Sequence, residues 1–291
     1  MSFEAPDVLV LGAGGVLGES WMNAVLAGME EASGFDAREC EGYVGTSAGS
    51  IVAAALAGGL SPDHRLGELP AQPEPEATSD VGGVGQALRA GVATVAAPVA
   101  ALALPTMAPG GALVRRIALG RAPRGTQSLR GLGDRIDSMG AEWDGRLAVA
   151  AVELESGRRV MFGRDGAPEA TIGQAVEASC AIPTYFRPIE IGGREYVDGG
   201  AWSPTNMDTA RVRRGTRVLC LNPTASIPAL GVASRSVARV EALVLERRGA
   251  NVDIVSPDEA SVDALGPNLM DWSRRREVIA AGVAQGRRLA A

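Results

Sequence analysis

Apolar residues along this chain follow two spacings, and the alternation between them sets out a fold. Val8-Leu9-Val10-Leu11 is an unbroken run after Asp7, as expected of a strand buried on both faces. It enters the turn Gly12-Ala13-Gly14-Gly15, after which Leu17, Trp21, Val25 and Leu26 recur at helical spacing over residues 16–32. A second short strand is predicted over 42–46, a corner at Ser47 and a helix over 48–57. Strand–helix–strand–helix within the first 58 residues predicts an α/β fold, a mainly parallel sheet flanked by helices on both faces. Further on, strands are predicted over 146–153, 159–162, 216–221 and 252–255, and a hairpin joins 187–191 to 195–197 through Gly192-Gly193. Helices are predicted over 128–140, 171–181, 232–248 and 268–289. The 291 residues read as a single domain, with 60–130 as a variable loop and cap insertion and 268–289 as a C-terminal helix.

The insertion has two parts. Residues 60–80 are polar and proline-rich, the pattern of an exposed loop. Residues 81–114 are small and apolar, but Pro98, Pro105, Pro109 and Gly110-Gly111 interrupt the run too often for a membrane-spanning helix of about 20 residues. An apolar helical cap over a pocket is the preferred reading, with two core helices as the alternative.

Composition narrows the chemistry. Residues of the hydrophobic class make up 46% of the chain and aromatics only 4%, so Ala, Val and Leu must fill the core. All 28 basic residues are arginine, which excludes a phosphate loop ending in Gly-Lys, a Schiff-base lysine and a Ser-Lys dyad. A net charge of −6 gives no basic excess for nucleic acid. Cys40, Cys180 and Cys220 lie too far apart for a zinc site or a disulfide framework, which suits a reducing cytoplasm. The N-terminus has no positive region followed by an apolar core, so no signal peptide is expected.

Between the second strand and its helix stands Gly45-Thr46-Ser47-Ala48-Gly49, the Gly-x-Ser-x-Gly of a strained corner that exposes a nucleophilic serine. A serine nucleophile needs a base, and the single histidine, His64, lies in the polar loop only 17 positions later, a poor place for one. Among the carboxylates, Asp198 in Tyr196-Val197-Asp198-Gly199-Gly200 ends a strand where two glycines allow a close neighbour; its bland reading is a β-turn Asp-Gly. The turn at Gly12 fails the dinucleotide pattern Gly-x-Gly-x-x-Gly, since Leu17 stands where the third glycine is required. Its other use is an oxyanion hole, with amides at a helix start facing developing negative charge.

These elements, in this order, resemble the patatin-like phospholipase family over residues 7–58 and again over 171–208, where Ala178-Ser179-Cys180-Ala181-Ile182-Pro183 precedes Val197-Asp198-Gly199-Gly200. The resemblance implies a Ser-Asp dyad with Ser47 as nucleophile and Asp198 as base. It also implies an oxyanion hole from Gly12, Gly14 and Gly15, and an elbow shaped by Gly45 and Gly49. Family members often carry another Gly or an Asp where this chain has Gly12-Ala13, a departure at the outer edge of the hole. The implied activity is hydrolysis of lipid carboxylic esters, of the phospholipase A or lysophospholipase type, with no metal or organic cofactor. The implied partner is a lipid or acyl-ester substrate, with peripheral membrane contact and no nucleic acid. A lipid transacylase and a non-catalytic lipid-binding or regulatory protein stay open as alternatives, and nucleotide binding is a third reading.

Of the remaining residues, Cys180 reads as packing and Trp21 and Trp202 as core, ahead of a pocket wall. Arg274-Arg275-Arg276 reads as a solvated helix face ahead of a lipid-headgroup contact, and Asn206 and Asp208 as local loop structure.

Overall fold

The computed structural model describes residues 3–67, 111–228 and 230–291. Among them, strands β1 Val8–Leu11, β2 Gly42–Thr46, β3 Leu147–Glu153, β4 Arg159–Phe162, β5 Ile189–Ile191, β6 Arg194–Asp198, β7 Arg217–Leu221 and β8 Asn251–Val255 form one sheet. Its order is β5-β6-β3-β2-β1-β7-β8, with β4 also paired to β3. The run from β3 through β2, β1 and β7 to β8 is parallel. The other pairings, β3 with β4, β3 with β6 and β5 with β6, are antiparallel. The predicted hairpin is present, turning through Gly192 and Gly193, both at positive φ.

Alternate strand residues feed two cores. Leu9 and Leu11 of β1 and Leu219 and Leu221 of β7 face a large core, while Val8, Val10, Val218 and Cys220 face a second one on the other side. Helices α1 Gly15–Ser33, α2 Ala48–Ala57, α5 Ile172–Cys180 and α8 Arg275–Ala290 cover the first; α6 Gly231–Arg247 covers the second. Two further helices, α3 Gly111–Arg121 and α4 Arg130–Asp137, stand between β2 and β3 in the chain. Aliphatic residues on both sheet faces are what a central parallel sheet requires, since neither face meets water. Trp21 is wholly buried and its indole N–H donates to Gln285 Oε1 at 3.0 Å, tying α1 to α8 as a core residue.

The expected apolar cap falls outside the described residues up to 110, and α3 begins at Gly111. The predicted helix over 268–289 is shorter than expected. Gly266, at φ 62°, ends a helix α7 Glu259–Leu265 that the pattern did not reveal, and α8 starts only at Arg275. Asp258 caps α7 by accepting from the Ser261 amide at 2.9 Å. The arginine triplet is also not one solvated face. Arg275 is buried and its guanidinium donates to the Arg65 carbonyl, Arg274 donates to Ala264 O at 2.7 Å, and Arg276 alone is exposed.

The pairing register of β3 positions everything that follows. Ala151 and Val152 pair with both β4 and β6, so these two strands lie on opposite edges of β3. Val149 and Ala150 pair with both β4 and β2, which puts β2 on the β6 edge. Strand β2 therefore ends at Thr46, opposite Ala150, and β6 arrives from the other direction to end at Asp198, opposite Ala151. The two strands meet end to end on one edge of β3.

Candidate functional site

Ser47 follows the last residue of β2 and caps α2 with φ 53° and ψ −124°, a conformation disfavoured for any residue with a Cβ. The corner closes because the flanking glycines leave room. A Cβ on Gly45 would lie 2.5 Å from Ser50 Cα, and one on Gly49 would lie 1.9 Å from Leu11 O. The Ser47 amide donates to Ser179 Oγ at 2.8 Å, so α5 holds the strained corner from outside the motif.

The end-to-end meeting of β2 and β6 brings the two predicted side chains together. Ser47 Oγ donates to Asp198 Oδ2 at 2.7 Å across 151 positions of sequence. The other carboxylate oxygen, Oδ1, accepts from the Gly200 amide at 2.7 Å. Asp198 is 4% exposed, and this burial pushes its pKa from 3.8 up to about 6, against the lowering effect of its two hydrogen bonds. No cation pairs with it among the described residues. A carboxylate in this setting is roughly a hundredfold more basic than a solvated aspartate and still ionised at neutral pH.

The glycine turn lies against both. Gly49 packs on Leu11 O and Gly12 O, and a Cβ on Gly200 would come within 3.7 Å of Ala13 Cβ. Gly12 is not a usable oxyanion donor: its amide continues the ladder to Leu221 O at 3.0 Å, because β1 pairing with β7 runs one residue past the strand end. Ala13 donates to Pro204 O at 2.8 Å. The amides of Gly14 and Gly15, at the start of α1, have no protein acceptor among the described residues, as first-turn donors of a helix do not. Gly15 takes φ 57°, and a Cβ on Gly14 would lie 2.8 Å from Pro223 Cβ. The first turns of α1 and α2 place two positive helix ends at this edge of the sheet.

His64 sits exposed in a short 3-10 turn, Pro62–Arg65, with no side-chain hydrogen bond to either residue of the pair. Cys180 is buried beside the site, 3.9 Å from Ser50 Oγ, and its thiol pKa is raised by burial and by Asp198, which leaves it protonated and unreactive. Trp202 is half-buried between two guanidinium groups, Arg115 at 4.0 Å and Arg159 at 5.1 Å from its ring centroid. Arg115 donates to Ala201 O at 3.1 Å and Gly157 O at 2.6 Å, pinning α3 to the turn after Asp198. Arg115 was not legible as a site residue, since nothing in the Arg115-Arg116 pair marks which of them turns inward, and Ser179 stood in the segment 178–183 with no role of its own.

Residues 9–211 match the patatin-like phospholipase family. The chain belongs to that family. Patatin-like proteins are generally lipid acyl hydrolases, and the serine corner and the Asp-Gly-Gly turn of this chain both fall within the matched span. No curated protein sequence matches it. Among solved structures it is similar to VipD from Legionella pneumophila, at 17% identity over 96% of this chain and 67% of that one, with a TM-score of 0.41. It is also similar to ExoU in the ExoU–SpcU complex of the type III secretion system of Pseudomonas aeruginosa, at 21% identity over 97% of this chain, with a TM-score of 0.35. The patatin-like chain covers about half (53%) of that ExoU chain. No helix among the described residues is long and apolar enough to cross a membrane.

Proposed function

We propose that this patatin-like protein is a serine acyl-hydrolase of lipid carboxylic esters, with Ser47 as nucleophile and Asp198 as general base. The observation that carries the reading is the 2.7 Å hydrogen bond from Ser47 Oγ to Asp198 Oδ2, made where burial raises the basicity of the carboxylate. Asp198 takes the hydroxyl proton as Oγ attacks the ester carbonyl, forming a tetrahedral oxyanion. The Gly14 and Gly15 amides receive that charge. With the Gly12 amide engaged in the sheet these two donors make up the hole, and losing one of them would cost about 100- to 1,000-fold in rate. Collapse expels the alcohol, which takes the proton from Asp198 and leaves an acyl-serine. Water, deprotonated by the same carboxylate, then releases the fatty acid and restores Ser47.

A cytoplasmic setting with peripheral contact to a lipid surface suits this chemistry. A fluorophosphonate probe together with p-nitrophenyl esters of increasing chain length tests the reading. Wild type is labelled and Ser47→Ala is not, with turnover lost in parallel. An unlabelled wild type would instead favour a lipid-binding protein of the same fold.

A further inference from the structure

The three parts of the site sit on separate stretches of chain, and a single buried loop bonds to each of them. Pro204 O accepts from the Ala13 amide of the glycine turn at 2.8 Å. Thr205 O accepts from Thr46 Oγ1, the residue before Ser47, at 3.4 Å. Asn206 Nδ2 donates to Thr46 Oγ1 at 3.1 Å and to Gly199 O, the residue after Asp198, at 3.3 Å. Its two amide hydrogens are shared with a third acceptor, Ser203 O of its own loop at 2.7 Å, and Asn206 Oδ1 accepts from Arg159 at 3.2 Å. Asn206 is wholly buried and holds a left-handed backbone, φ 49° and ψ 28°, which asparagine tolerates better than most residues.

The loop is held from the opposite face of the sheet. Glu241 of α6, 2% exposed, accepts from the Met207 amide at 2.9 Å and from Thr205 Oγ1. The Ser203 hydroxyl also favours its charged form, while burial and nearby Asp208 oppose it. A buried carboxylate whose hydrogen bonds go mainly to one loop fixes that loop, because releasing either partner would leave polar groups unpaired away from water.

We propose that Asn206, backed by Glu241, is the positioning residue that keeps serine corner, aspartate turn and glycine turn in mutual register. Strands β2 and β6 meet end to end with no ladder bond between them, so their spacing is set by β3 on one side and by Asn206 bridging Thr46 to Gly199 on the other. This rests on the Ser47–Asp198 reading and adds a residue that touches no substrate.

The test uses Asn206→Gly, which accepts the left-handed backbone but removes the bridge, and Glu241→Gln against Glu241→Ala. Turnover of p-nitrophenyl butyrate and the rate of fluorophosphonate labelling are measured with far-UV circular dichroism and melting temperature. Expected for Asn206→Gly is a native spectrum, an unchanged KM and a kcat lowered about 100-fold, the scale of an ångström-sized misplacement. Labelling slows by the same factor. The acid limb of kcat/KM moves down from about 6 toward the ordinary carboxylate range as water reaches Asp198, which a merely stabilising residue would not cause. Glu241→Gln keeps most activity, and Glu241→Ala loses it with Asn206→Gly. Should Asn206→Gly fail to fold, Thr46→Val, which removes the elbow end of the bridge, must show the same slow labelling. Wild-type kcat and an unmoved acid limb in a folded bridge variant overturn the proposal. Full activity in Ser47→Ala overturns the underlying reading instead.

Discussion

Replacing Asp198 by Asn should abolish turnover and at the same time stabilise the protein, by an amount that depends on pH in a calculable way. The substitution keeps the shape of the side chain, and its carbonyl oxygen can still accept from the Gly200 amide that now reaches Oδ1 at 2.7 Å. The new NH2 faces Ser47 Oγ, which can rotate its hydrogen away and accept. What disappears is a buried charge. In the folded chain the Asp198 pKa is raised from 3.8 to about 6. The native state thus holds the proton more tightly than the unfolded chain, and stability falls as pH rises through the interval between the two values. At about 1.36 kcal/mol per pH unit, the full interval corresponds to about 3 kcal/mol lost above pH 7 and regained as pH approaches 4. Asn carries no such penalty at any pH. The stability of Asp198→Asn minus wild type, from urea unfolding, should therefore be larger by roughly 2–3 kcal/mol at pH 8 than at pH 4. For a chain of this size that corresponds to roughly 5 °C in melting temperature. Glu241, also raised by burial, titrates in both proteins and cancels in the difference. A difference that is flat with pH, or a variant less stable at pH 8 than at pH 4 relative to wild type, would refute the claim that Asp198 is held ionised against its environment.

Four other outcomes follow from the same geometry. In wild type, kcat/KM should fall on the acid side with an apparent pKa about 6, because only ionised Asp198 accepts the Ser47 proton; a profile flat to pH 4 counts against it. His64→Ala should leave turnover within about twofold, since the side chain is exposed and bonds to neither member of the pair; a loss matching Ser47→Ala would put the base elsewhere. Gly49→Ala should express poorly or unfold at low urea, costing at least about 3 kcal/mol, because its Cβ would lie 1.9 Å from Leu11 O; normal unfolding would show the corner can relax. Ser47→Gly should be more stable than Ser47→Ala by about 1 kcal/mol, reversing the usual order in a helical context, since glycine accepts φ 53° without strain.

The sheet was legible because a parallel strand buried on both faces is a short apolar run between turn residues, and β1 and β7 lie where such runs stand. The serine corner was legible for a related reason: Gly45 and Gly49 are tied to it by the absence of space, and absence of space selects one residue type. The Gly12 assignment failed because an amide's partner is a tertiary fact; nothing in Gly-Ala-Gly-Gly tells that the carbonyl of Leu221, the last residue of β7, takes the first donor. Helix α7 was missed because only seven residues, Glu259–Leu265, separate its cap from Gly266, too few for an apolar stripe to declare its period. Asn206 was read as local loop structure, which is half of its bonding. The other half crosses 160 positions to Thr46, and a side chain that bridges remote strands leaves no spacing to detect.

A Ser-Asp pair without histidine asks more of its scaffold than a triad does. An imidazole has an ordinary pKa near neutrality and two nitrogens, so it can serve as base while its second nitrogen is anchored. A carboxylate must be desolvated to become basic enough, yet desolvation tends to protonate it and removes the water that would otherwise satisfy its oxygens. The end-to-end meeting of β2 and β6 answers both demands. It buries Asp198 at the C-terminal edge of the sheet, gives one oxygen to Ser47 and the other to Gly200, and leaves no cation among the described residues close enough to return its pKa to the ordinary range. Introducing a cation there is accordingly more damaging than its distance from the substrate would indicate. Ala150→Arg on β3, whose partner in the ladder is Thr46, would have to bring a guanidinium into a fully buried position beside the pair, and either the fold fails or Asp198 loses its basicity.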